Sequence, residues 1–354
     1  TRRWKKGTTK GPLDGIPVTV KDWYDVAGWP TRQGSLTTDA APKAADSFVV
    51  TALKDAGAII IGKTTLPEFG HKGVTHSPLS GITRNPWDPD KTSGGSSGGA
   101  AVATATGMGW LHLGSDAGGS IRIPAAFSGV VGFKPSPGLL PSWPPSPFST
   151  LSSMGPLARS VSDCALMTQV LAEAALKNPQ DWHNVGPTAA ARALRRPVLS
   201  RRPLRVAVIE TIDGMGMTTS ARRVWDQQKK HLRQLGTVTT IAPDLSGIGQ
   251  IFNDHWTAVA SLIASNLTTA QKKKLDPRFV HWAERGDQQH LHSYILAEYR
   301  RMITGGLFRD IFSRFDIIAT PTTPFPAFDV GIDMPSDRRG KPVLDWNIFN
   351  AFAN

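Results

Sequence analysis

Two short stretches hold the residues best suited to chemistry. TSGGSSGGAA (92–101) sets Ser96 and Ser97 among four glycines. GSDAGGSIRIPA (114–125) repeats the theme of strand, glycines, serine and helix start. In the second, Ala117, Gly118, Gly119 and Ser120 line successive backbone N–H groups along a tight turn at a helix N-terminus, a nest that suits an anion. If the anion is a tetrahedral oxyanion, this is an acyl-transfer site and Ser120 stands where its nucleophile belongs. Glycines there let the backbone approach a substrate closely.

Other readings of the serines fit less well. GGSSG (94–98) satisfies the G-x-S-x-G elbow, but that motif needs a strand just before it, and NPWDPDKT (85–92) is a polar turn. No lysine follows the glycines as a phosphate loop requires. A flexible linker is at odds with the patterned elements flanking the stretch on both sides.

A serine nucleophile needs a base. None of the nine histidines lies in a motif that singles it out, and His112, within a strand pattern, reads as a packed polar residue. Lysine is the other known base for serine. Lys21 and Lys63 each follow an apolar strand pattern, and spacing alone does not choose between them. To serve, a lysine pKa must move from ~10.4 to ~7–8, roughly 3.5–5 kcal/mol of differential environment.

Alternating elements position these stretches. GIPVTVKD (15–22), AIIIGK (58–63), WLHLGSD (110–116) and VVGFK (130–134) read as strands, the first two buried. DSFVVTALKDAG (46–57) has helical apolar spacing, with Asp46 placed to cap it and Gly57 to end it. TLPE (65–68) has capping-box spacing. AAVATAT (100–106) and SVSDCALMTQVLAEAA (160–175) read as helices. Further on, RVAVIE (205–210) is a strand, 221–236 a helix, 291–315 one or two helices, and DIIATPTTPFP (316–326) a strand entering a loop. The pattern is that of an α/β domain with helices covering a largely buried sheet. Residues 135–156 form a long Pro/Ser/Gly-rich loop holding Trp143 and Phe148.

The chain has 354 residues, 40% of them hydrophobic, enough for a sizeable core. A single cysteine, Cys164, excludes internal disulfides and thiolate metal clusters and fits a reducing, cytoplasmic compartment. No window reaches the ~18 apolar residues of a membrane span. The net charge of +12 raises nucleic acid as a partner, but much of it sits in RRWKK (2–6) and in an Arg-rich connector, 190–204. Pro197 and Pro203 interrupt that connector and no aromatic residues alternate with its arginines, so it reads as a solvated excursion.

Taken together, GIPVTVKD, TSGGSSGGAAVA, GSDAGGSIRIPAAFSGVVGFKPS, GPLARSVSD (155–163) and DIIATPTTP (316–324) resemble the amidase signature family, in the family's order and over most of the chain. The resemblance implies a single large α/β domain over 1–354, with a central mixed, twisted sheet covered by helices on both faces. Its catalytic core is about 11–175, with a peripheral, substrate-side part over 205–354. It also implies a Ser–Ser–Lys triad. Ser120 is then the nucleophile, and Ser96, 24 residues before it and held by a cis peptide, the bridge. Lys21 is the base, and Lys63 matches a structural position. Ala117, Gly118 and Gly119 form the oxyanion hole, Ser97 supports the bridge, and Asp116 and Arg122 pair structurally. The implied reaction hydrolyses a small-molecule amide with no metal or cofactor.

Within the family, the glutamine-hydrolysing component of the tRNA-dependent amidotransferase has SIRQPA, where this chain has SIRIPA with Ile123, so a stand-alone amidase is the expectation. A non-catalytic binding protein on the same scaffold is the other alternative, and all three triad positions are retained against it. Residues 137–148 and 70–81 are the expected pocket walls, with Ser97, His76 and Trp143 as substrate contacts, Trp23 as a weaker one and an apolar or aromatic acyl group as the fit. Family members often form homodimers, which leaves oligomeric state open. The family's N-terminal helices and C-terminal strands lack counterparts, so truncation at both ends is expected.

Overall fold

The computed structural model describes residues 2–140, 142–175, 202–337 and 339–354. The Arg-rich connector lies outside them up to residue 201. Its described arginine, Arg202, pairs with Asp316, as does neighbouring Arg205.

Among the described residues ten strands are formed: β1 (Pro17–Lys21), β2 (Ile59–Thr64), β3 (His76–Ser77), β4 (Gly81–Ile82), β5 (Leu111–Asp116), β6 (Val131–Gly132), β7 (Ser153–Ala158), β8 (Leu204–Val208), β9 (Gly236–Thr240) and β10 (Ile317–Ala319). Five build a central mixed sheet in the order β2-β1-β5-β7-β6. β1 runs parallel to β2 and β5, while β7 is antiparallel to β5 and β6. β10-β8-β9 form a separate parallel sheet, and β3-β4 a small hairpin.

Helices cover both faces of the central sheet. Val18 and Val20 of β1 pack with Leu111 and Leu113 of β5 against Val49, Val50 and Leu53 of helix Phe48–Asp55 and Met167 and Leu171 of helix Val161–Ala175. Strand alternation then sends Thr19 and Lys21 to the opposite face. There the small residues of helix Gly98–Thr106, with Ala100 and Ala101 fully buried, pack closely with Ile121, Ala125 and Leu157. A third cluster joins Phe69, Ala117 and Phe148 to Trp256 of helix Ile248–Ser265 and Phe279 and Trp282 of helix Pro277–Asp287.

Several local expectations change. β2 is an edge strand, and Ile59 and Ile61 are about half exposed rather than buried. Asp46 does not cap the helix that follows it; its carboxylate takes Ala27 N–H and Lys54, and Ser47 is the N-cap. No capping box forms at TLPE, where Pro67 leads into a single 3-10 turn, Glu68–Gly70. Only Val131 and Gly132 of VVGFK pair as strand, and 291–314 is one continuous helix.

Candidate active site

Lys21 ends β1 with no solvent exposure. Its Nζ donates to Ser96 Oγ at 2.7 Å and to Ser115 Oγ at 3.0 Å. Burial lowers its pKa to about 7, against an opposing pull from the Asp116 carboxylate. Both hydrogen-bond partners are neutral hydroxyls, which can accept from an ammonium or donate to a free amine. Lys63 differs in its partners. It pairs with Asp22 at 2.6 Å and donates to Pro30 O and Thr31 Oγ1. Burial lowers its pKa as well, against the pull of the Asp22 carboxylate, so it is these partners that make it a brace between the 22–31 segment and β2. His112 is a packed residue as expected, its Nδ1 2.8 Å from Thr19 Oγ1.

The Gly95–Ser96 peptide is cis. Gly70 faces Ser96 with φ +66°, and a Cβ there would stand 3.3 Å from Ser96 Oγ. Ser97 N–H donates to Ser120 O at 2.9 Å, tying the two glycine-rich stretches together. Ser97 Oγ donates to Ser115 O and accepts Ser115 N–H. Ser97 is thus fully buried in backbone support, away from the position of a substrate contact.

Ser96, Ser115, Ala117 and Ser120 line one cavity of about 10 Å³, walled by Trp23, Phe69, Phe148 and Trp256. That is room for about one water molecule. The hydroxyls of Ser96 and Ser120 share this space without a direct hydrogen bond between them.

Asp116 organises the turn beneath Ser120. Its carboxylate accepts N–H bonds from Gly119, Ile121 and Arg122 and a two-pronged bond from the Arg122 guanidinium. Burial alone would raise its pKa, but Arg122's charge and hydrogen bonds, with Lys134's charge, hold it well below the usual carboxylate range. This is the structural pair expected from sequence. It alters the expected oxyanion hole, because the Gly119 N–H is spent on Asp116 at 2.7 Å. The N–H groups of Ala117, Gly118 and Ser120 have no partner among the described residues. A side chain at Gly118 would collide with the Phe252 ring, 2.5 Å from its Cβ position.

His76 does not line the cavity that holds Ser96 and Ser120. Its Nε2 is 2.6 Å from Lys72 Nζ and 3.1 Å from Asp333, and Lys72 also holds Asp276. This network fastens the 70–76 loop to the start of helix Pro277–Asp287. Trp143 lines a neighbouring cavity of about 310 Å³. Sequence reading missed Ser115, the second partner of Lys21, and Trp256. Ser115 shares strand parity with Leu111 and Leu113, the face opposite Lys21, so alternation along β5 gave no signal for this pairing at the strand's end. Trp256 follows Phe252 by one helical turn, an aromatic stripe that was the available signal.

The amidase family model matches residues 1–353. The chain belongs to the amidase family. That membership places it among hydrolases of amide C–N bonds. It is similar to the indoleacetamide hydrolase of Bradyrhizobium diazoefficiens, 36% identical over 259 residues, which are 70% of this chain and 48% of that protein. The match therefore spans about half of that relative's length. It is also similar to a glutamyl-tRNA(Gln) amidotransferase component of Symbiobacterium thermophilum, 33% identical over 93% of this chain and 72% of that one. Among solved structures, an inhibitor-bound complex related to the origins of an s-triazine catabolic enzyme superposes with TM-score 0.86 at 27% identity, covering 99% of this chain and 77% of the other. A bacterial aryl acylamidase shares the fold, with TM-score 0.85, 23% identity and coverage of 99% and 77%. The amidase fold so assigned has the central mixed sheet and covering helices that the resemblance implied.

Proposed function

We propose that this amidase cleaves a small carboxylic amide through an acyl-enzyme on Ser120, with Ser96 and Lys21 as the proton relay. The observation that carries the reading is the Lys21 Nζ–Ser96 Oγ contact of 2.7 Å inside a cavity that also holds Ser120. Neutral Lys21 takes the Ser96 proton as Ser96 takes that of Ser120. Ser120 Oγ bonds to the amide carbon, and the carbonyl π pair moves onto oxygen. The partnerless N–H groups of Ala117, Gly118 and Ser120 are available to that oxyanion. The relay then returns the proton to nitrogen, the C–N bond breaks, and amine or ammonia leaves. Water repeats the sequence in place of Ser120 and frees the acid. The reaction so written calls for no metal and no cofactor. The same reading takes residues 1–354 as one domain working in the cytoplasm; among the described residues no helix is long and apolar enough to cross a membrane.

Ammonia release from glutamine, within a tRNA amidotransferase, is the second reading, favoured by the long match to a component of such an enzyme. Buried Ile123 stands against it, an apolar group where that branch has glutamine. The test is ammonia release from a panel of primary amides, indoleacetamide first and glutamine included. The reading predicts turnover of a non-glutamine amide by the native chain and none by Ser120→Ala. Equal turnover by that variant, or turnover of glutamine alone, would overturn it.

A further inference from the structure

The triad cavity has room for about one water molecule and none for the body of a substrate, so selection must occur next to it. Trp23 and Ser152 line both the triad cavity and the 310 Å³ cavity, so the two are immediate neighbours across these side chains. The larger volume lies at the lower end of small-molecule pockets, ~300–1,000 Å³. Its lining divides by chemistry. Trp23, Leu140, Trp143 and Met154 give it apolar and indole surfaces. Asp25 and Asp39 give it two carboxylates against the single ammonium of Lys43. Lys43 is 3.9 Å from Asp25, both partly exposed, which is a loose pairing. Asp39 spends one oxygen on Ala41 N–H. The lining therefore keeps an excess of one negative charge, with carboxylate oxygens left for a donor.

We propose that this chamber, walled by Trp23 and Trp143, selects amides whose substituent is an aryl group that is neutral or bears an N–H or ammonium donor, and rejects anionic ones. The inference rests on the amidase reading and names its substrate class. Aromatic surfaces suit a flat ring, and the net negative lining opposes a carboxylate brought out of water beside it.

The test measures binding to Ser120→Ala protein by titration calorimetry, with phenylacetamide, its 4-aminomethyl form and its 4-carboxy form. The ammonium and neutral ligands should bind at least about tenfold tighter than the carboxylate. Adding Trp143→Ala should weaken both by about tenfold. Trp143 is 39% exposed, so the variant keeps the core. Asp25→Asn with Asp39→Asn should close most of the gap between ammonium and carboxylate ligands. Carboxylate binding as tight as ammonium, no binding of any of the three, or indifference to Trp143→Ala would overturn the proposal. Fluorophosphonate labelling of the native chain separates the two readings. Label on Ser120 without the ligand ranking removes the chamber and leaves the amidase. The ranking without label leaves the chamber and removes the Ser120 mechanism.

Discussion

Lys21→Met should stabilise the fold relative to the native chain more at pH 7 than at pH 9, while removing the base. In the unfolded chain this lysine has its ordinary pKa of 10.5, and in the fold burial lowers it to about 7. Between those values the unfolded state binds a proton that the folded state lacks. Native stability therefore rises with pH across that window, by about 1.4 kcal/mol per pH unit. The cost of burying this group is full below about pH 7 and gone above about 10.5. From pH 7 to pH 9 the native chain should gain about 2–3 kcal/mol on the methionine variant. Losing the bonds to Ser96 and Ser115 costs the variant about 1–3 kcal/mol, but equally at both pH values, so it cancels. Groups that titrate in both proteins cancel as well. Urea unfolding of each protein at pH 7 and pH 9 gives four free energies and one double difference. A double difference within about 0.5 kcal/mol of zero would mean that Lys21 stays charged in the fold and cannot be the base.

Two more outcomes follow from the same geometry. With a neutral amide, kcat/KM should rise about tenfold per pH unit below pH 7 and level off above it, as Lys21 loses its proton; a flat profile from pH 5 to 9 would refute the relay. Asp116→Ala should cost about 3–5 kcal/mol in urea unfolding, because it strands Arg122 and three turn N–H groups in a buried site. A loss under about 1 kcal/mol would show that the Asp116–Arg122 pair does not hold the turn.

The parts of the site legible in sequence are those with local signatures. The strand that ends in Lys21 and the helix that begins after Ser97 follow from apolar and small-residue patterns, and the glycine turn before Ser120 from composition. Choosing Lys21 over Lys63 is different. Both follow apolar runs, and only the partners separate them: two hydroxyls for one, Asp22 and a carbonyl for the other. Those partners come from elements about 30 to 94 residues away, and no local pattern carries them. The family resemblance made that choice, and the Lys21–Ser96 contact is what supports it. Gly119 shows the reverse case. Composition makes all three residues of AGG equal donors, yet the Asp116 carboxylate three residues earlier claims one of them. The half-exposed face of β2 was hidden for a related reason, since periodicity reports apolar content and not which strand ends a sheet. Helices Ile248–Ser265 and Pro277–Asp287, which supply the Trp256 wall, were not read from sequence at all.

The account stands on Ser120 being an activated nucleophile. The most direct measurement is reaction of the native chain with a fluorophosphonate, read by peptide mass spectrometry. The account predicts a covalent adduct on Ser120, formed faster at pH 8 than at pH 6 and lost in Lys21→Met. An adduct on another serine, or none on the folded chain, would contradict it.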